Sequence, residues 1–186
     1  MLLLVGLGNP SPKNEDNRHN IGFKVIDAIN QKFSLSKQKP KFKGLLTTGS
    51  INEKKIYAIK PLTFMNNSGI CIRELIEYFK IDAQNVIVFH DDLDIDFGKI
   101  KTKFGGSSAG HNGIESIDRF IGKDYSRVRI GIGKPKIKIT VTDHVLKDFD
   151  EDEKKEVQKI TNSIIESLSI LLDKKLDLFS STVNDK

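Results

Sequence analysis

His19, Asp91, Asn9, Asn66 and Asn112 are the residues of this chain whose types can jointly do chemistry. An imidazole, with an ordinary pKa of about 6.5, takes up and releases a proton near neutrality. A carboxylate can orient that ring. Side-chain amides donate and accept at once, so they can hold a carbonyl, a developing oxyanion or an attacking water. These are the parts of a base-assisted hydrolase, not of a hydride-transfer site. They fall in five short polar clusters: Gly6-Leu7-Gly8-Asn9-Pro10, Arg18-His19-Asn20-Ile21-Gly22, Met65-Asn66-Asn67-Ser68-Gly69, His90-Asp91-Asp92-Leu93-Asp94 and Gly110-His111-Asn112-Gly113.

Each cluster follows a strand-like run or precedes a helix-like one, the places where open α/β sheets bind ligands. Leu2–Leu7 reads as a buried strand, and Val86–Phe89 as a short central one. Leu45–Ile51 and Ile56–Ile59 flank Asn52-Glu53-Lys54-Lys55, a hairpin signal. Ile100–Phe104 and Val128–Ile132 read as further strands. Helical periodicity runs through Phe23–Phe33, through Ile72, Leu75, Ile76 and Phe79, and through Ile114, Ile117 and Ile121, where Gly122 ends it. Asn67 or Ser68 can cap the second of these helices. Val157, Ile160, Ile164, Leu168 and Leu171 predict a long amphipathic C-terminal helix. The lysine-rich stretch from Lys134 to Val141 and the residues after Ser180 carry no such pattern. The expected architecture is a single α/β domain over residues 1–179, a twisted mixed sheet covered by helices, with a polar tail at 180–186.

Rival readings of the motifs differ in strength. Gly6-Leu7-Gly8 invites a dinucleotide fingerprint, but position 11 is Ser11 where a third glycine belongs, and Pro10 removes a backbone donor. Gly105-Gly106-Ser107-Ser108 lets backbone approach a ligand closely, yet it lacks the Gly-Lys-Ser/Thr of a P-loop. His90, Asp91, Asp92 and Asp94 form either a turn, a divalent-metal site, or the carboxylate that orients His19. Lys103 and Arg129, on separate strand-like segments, can converge on one phosphate or simply line a solvated face.

Bulk properties are those of an ordinary globular chain: 186 residues, 38% hydrophobic and 30% charged, with a net charge of +5. Leu2–Val5 is too short and lacks the charged flank of a signal peptide. A lone cysteine, Cys71, rules out a disulfide framework and a Cys-based zinc site. A cytoplasmic protein is expected. The positive charge is a mild sign of an anionic partner.

Taken together, the five clusters, with Lys60-Pro61-Leu62-Thr63-Phe64 ahead of the third and Arg127-Val128-Arg129-Ile130-Gly131-Ile132-Gly133 after the last, resemble the bacterial peptidyl-tRNA hydrolases, in the same order from Leu4 to about Leu172. The resemblance implies a metal-free, cofactor-free monomer with no membrane association. Such an enzyme hydrolyses the ester between a peptide and the 3′ end of tRNA. It implies that His19 activates water, Asp91 holds His19 in its basic form, and Asn9 senses the blocked amino group. Asn66 and Asn112 contact substrate and water, Phe64 lines the tRNA-end site, and Lys103 and Arg129 clamp the 5′-phosphate. Asp91→Asn is then expected to slow the reaction less than His19→Ala. Ser11, Asn14 and Asn17 depart from the family pattern of glycine, tyrosine and threonine, which bears on affinity and leaves the catalytic positions intact. The alternatives are a metal-dependent hydrolase built on His90-Asp94 and a non-catalytic RNA-binding module, although RRM and KH signatures are absent.

Overall fold

The computed structural model describes residues Met1–Lys186. Seven strands, β1 (Leu2–Gly6), β2 (Lys39–Lys41), β3 (Gly44–Ile51), β4 (Lys54–Pro61), β5 (Val86–Asp92), β6 (Ile100–Phe104) and β7 (Ser126–Gly131), form one sheet in the order β2-β3-β4-β1-β5-β7-β6. The four central strands, β4, β1, β5 and β7, run parallel, while β2, β3 and β6 are antiparallel to their neighbours. Helices α1 (Ile21–Lys32), α2 (Ser68–Phe79), α3 (Asn112–Ile121), α4 (Val141–Val145), α5 (Glu151–Glu166), α6 (Leu168–Leu172) and α7 (Leu176–Asn184) complete the domain. The parallel strands are apolar on both faces, as burial on both sides requires. Leu2, Leu4, Ile87, Phe89, Val128 and Ile130 join a core with α1 and α5–α7, whereas Leu3, Val5, Val86 and Val88 join a second core with α2 and α3.

The β3–β4 hairpin turns on two residues only, Asn52 and Glu53, both at positive φ, with Ile51 paired to Lys54. Helix α1 lies so close to the sheet that a β-carbon on Gly22 would collide with the backbone of Leu7 and Phe89. That approach brings the turn ahead of α1, which holds His19, down onto the ends of β1 and β5.

Four expectations are revised. Strand β5 does not end at Phe89 but carries His90, Asp91 and Asp92 within it, paired with Arg129, Ile130 and Gly131 of β7. Neither Asn67 nor Ser68 caps α2: the Ser68 hydroxyl donates to the Met65 carbonyl, and the Gly69 N–H is taken by Ser116 Oγ of α3. The C-terminal amphipathic pattern is divided at Ser167 between α5 and α6. Residues 180–184 are not a polar tail. They belong to α7, whose Phe179 and Val183 are buried.

Asn184 then accepts from the Ile100 N–H at 2.9 Å and donates to the Ile100 carbonyl at 2.8 Å, so its amide pairs with β6 as a further strand would. Asn184→Ala, leaving both backbone groups unpaired, should lower stability by about 1–3 kcal/mol and the melting temperature by several degrees. Thermal denaturation checks this, and an unchanged midpoint would show the clasp to be dispensable.

Candidate active site

Parallel strands deliver their carboxyl ends to one edge of the sheet, and the five polar clusters meet there. Asp91, near the end of β5, is buried, and its carboxylate sits between two histidines. His19 Nδ1 is 2.9 Å from both Asp91 oxygens, and His111 Nε2 is 2.8 Å from Oδ1. The two imidazole centroids are 5.0 Å apart.

Protons can be assigned from these contacts. His111 precedes α3, and its Nδ1 accepts from the Gly113 and Ile114 N–H groups at 3.1 and 3.3 Å, capping the helix. A nitrogen that accepts carries no proton, so the His111 proton lies on Nε2 and is donated to Asp91. His19 likewise donates its Nδ1–H to the carboxylate. Its Nε2 has no protein partner, which leaves that lone pair available on the cleft His19 lines. Burial works against a charged His19 ring, but the Asp91 charge and hydrogen bond outweigh it and raise the pKa above the ordinary 6.5. Burial likewise opposes a charged Asp91, yet the two histidines hold it well below the usual carboxylate range.

The acidic motif of β5 does not act as one unit. Asp92 Oδ2 accepts from Arg129 Nε at 2.9 Å, and its Oδ1 accepts from the Asp94 N–H. His90 donates Nδ1–H to the Asp91 carbonyl and is buried, which, with His111 nearby, pushes its pKa down to about 3. Side chains alternating along a strand send these groups in different directions, so His90, Asp91, Asp92 and Asp94 do not converge on an ion. The residues that do approach metal-ligand spacing are His19, Asp91 and His111. There the cap on His111 fixes a proton on the nitrogen that would have to bind the metal, so the donor set fits a hydrogen-bond relay better than a cation.

The asparagines have distinct settings. Asn9 Oδ1 accepts from the Met65 N–H at 2.8 Å, and its amide NH₂ has no protein partner. Its backbone is stapled by Asn20, which accepts from Asn9 N–H and donates to Asn9 O. The Asn9–Met65 bond anchors the turn Met65–Asn67, leaving Asn66 exposed and Phe64 about 59% exposed at a φ of +61°. Few side-chain-bearing residues adopt that conformation, and such strain tends to be kept where a side chain has work to do. Asn112, the first residue of α3, is exposed on the same cleft of about 610 Å³ as His19, Asp91 and His111. A groove of about 660 Å³ opens beside Asn9 over Phe23, Leu45 and Leu62.

The turn that holds His19 is pinned from the far side. Arg18 donates to the carbonyls of Lys147 and Asp148 and to both oxygens of Glu153 at 2.8–2.9 Å.

Lys103 and Arg129 lie on one face of the β6–β7 ladder as diagonal neighbours. Arg129 is half-buried and Lys103 exposed. Sequence reasoning gave no role to His111 or Asn20, and it read Asp92 as a turn or metal-site residue rather than as the partner of Arg129. Their motifs were visible, but their partners come from distant segments, and only the His111 position just ahead of a helix gave a local signal.

A buried Asp–His pair beside exposed amides, at the carboxyl edge of a mixed α/β sheet, is an arrangement suited to base-assisted hydrolysis. The sequence model of peptidyl-tRNA hydrolase matches residues 3–186, and the chain belongs to that family. It is 80% identical over 186 residues to the peptidyl-tRNA hydrolase of Pelagibacter ubique, covering all of both chains. It is 43% identical to that of Bartonella henselae, covering 99% of this chain and 95% of the other. The crystal structure of the Acinetobacter baumannii peptidyl-tRNA hydrolase superposes with a TM-score of 0.92 at 31% identity, over 99% of this chain and 94% of that one. No helix is long and apolar enough to cross a membrane.

Proposed function

We propose that this chain, acting as a monomer, hydrolyses the ester joining a peptide or N-blocked aminoacyl group to the 3′ oxygen of tRNA, with His19 as general base. The observation that carries this reading is the Asp91 carboxylate held between His19 and His111, which fixes the His19 lone pair on Nε2. A water on the cleft gives its proton to Nε2 as its oxygen attacks the ester carbonyl. The tetrahedral intermediate collapses, the carbon–oxygen bond to the ribose breaks, and the proton on Nε2 passes to the departing 3′ oxygen. Asn66 and Asn112 supply amide donors for the carbonyl oxygen and the attacking water. Phe64 supplies an exposed ring for the terminal nucleotide. Lys103 and Arg129 take the 5′-phosphate.

The free NH₂ of Asn9 suits the carbonyl of the first peptide group and gains nothing from a charged amine, whose desolvation is costly. The groove over Phe23 gives a longer peptide room beyond it. N-acetyl-aminoacyl-tRNA should therefore be cleaved over many turnovers, after exhaustive chelation, and well ahead of the free aminoacyl form. Asn9→Ala should narrow that gap. Equal cleavage of blocked and free substrates by the unaltered protein refutes the assignment of Asn9, and loss of turnover on chelation refutes the metal-free mechanism.

A further inference from the structure

Three arginines lie at least partly inside this fold, and their guanidinium groups are used differently. Arg18 and Arg127 spend both terminal nitrogens on the protein: Arg18 on two carbonyls and Glu153, Arg127 on the carbonyls of Ser107 and Gly105. Arg129 is held only through Nε, which donates to Asp92 Oδ2 at 2.9 Å, and its Nη1 and Nη2 meet no protein acceptor. The stem of the fork is fixed and its prongs are free, the arrangement needed for two parallel hydrogen bonds to a phosphate. Asp92 is itself fixed: it is buried, it lies within β5, and its second oxygen takes the Asp94 N–H. Lys103 stands diagonally across the β6–β7 ladder from Arg129, on the same face of the sheet.

We propose that Asp92 is a positioning residue for phosphate recognition, holding the Arg129 guanidinium by its Nε edge so that both terminal nitrogens present to the 5′-phosphate of the substrate. This rests on the reading of Arg129 as a phosphate contact given above. It also makes an unusual demand on sign. A carboxylate beside a phosphate site repels the ligand, so deleting it should tighten binding if charge alone mattered. If Asp92 acts by orientation, deleting it loosens binding in spite of the charge removed.

The test compares paired minimal tRNA substrates bearing a 5′-phosphate or a 5′-hydroxyl. The readout is the ratio of the two KM values within each variant, so that any loss common to both substrates cancels. The unaltered protein should favour the phosphorylated substrate by about tenfold, the size of one charge-assisted contact. Arg129→Ala should bring the ratio close to one. Asp92→Ala should do the same, while Asp92→Asn, which keeps an amide oxygen for Nε, should hold the ratio at or above that of the unaltered protein. Asp92→Ser, too short to reach Nε, replaces the alanine variant if that one folds poorly. A ratio near one in the unaltered protein sinks the phosphate role of Arg129 and with it this proposal. A normal ratio there, with an equal or larger one in Asp92→Ala or Asp92→Ser, overturns the positioning role of Asp92 and leaves Arg129 as the contact.

Discussion

His19→Ala should lower turnover of N-blocked aminoacyl-tRNA by about 10²–10⁴-fold, the usual size of a lost general base. On the proposed mechanism the loss should fall on kcat, because the variant removes the base and leaves the proposed substrate contacts of Asn9, Asn66 and Asn112 in place. Folding should change little on average: the ring contributes one hydrogen bond to a carboxylate that keeps a second partner in His111. Circular dichroism and tRNA affinity provide the controls. Wild-type turnover in a pure, folded His19→Ala protein would end the assignment.

Asp91→Asn is expected to be almost as damaging, and the reason lies in His111. An asparagine offers one acceptor and one donor where the carboxylate offered two acceptors. The His111 proton is fixed on Nε2 by the cap at α3, so His111 claims the amide oxygen. The amide NH₂ then faces His19 and donates to Nδ1, driving the His19 proton to Nε2. The lone pair that would accept the water proton is gone. A loss of about 10²-fold or more follows, greater than the sequence reading expected from weakened orientation alone. Removing His111 as well should free the amide oxygen for His19 Nδ1–H, so Asp91→Asn/His111→Ala should be more active than Asp91→Asn. The four proteins form a double-mutant cycle, and a double variant no better than the single one contradicts the tautomer argument.

The pH dependence follows with a definite sign. On the proposed mechanism the base is the unprotonated His19, whose pKa is raised above the ordinary 6.5 because Asp91 favours the charged ring more than burial disfavours it. Activity should fall as pH drops through that raised value. Without the Asp91 charge, burial dominates, and the acidic limb of whatever activity remains should move to lower pH. A limb that stays in place shows that Asp91 does not set the His19 titration.

Much of this was legible in the sequence because it was local. The apolar runs specify β1, β5 and β7, the periodic isoleucines specify α1–α3, and the polar clusters fall where parallel strands end. His19, Asp91 and Asn112 line one cleft, and Asn9 lines the neighbouring groove. What was not legible depends on partners far along the chain. Strand β5 seemed to end at Phe89 because His90, Asp91 and Asp92 are polar. They remain in the strand because each finds a partner on it or beside it: the Asp91 carbonyl for His90, two histidines for Asp91, Arg129 for Asp92. The start of α2 carries cap-forming residues, yet a serine from α3 satisfies its N–H. The residues from Ser180 onward look like a polar tail because Val183 is the single apolar residue among them, and one position cannot show a period.

The clasp of Asn184 on Ile100 bears on how this sheet keeps its neighbours away. An unpaired strand rim is a template for another chain. At one rim, β2 reads Lys-Pro-Lys, and proline offers no donor to an incoming strand. At the other rim, α7 lies along β6, and one side-chain amide takes both backbone groups of Ile100. Shielding of the second rim thus falls to α7. Removing α7, as by a protease cutting ahead of Leu176, would expose β6 as a template for another copy while leaving His19 and Asp91 in place.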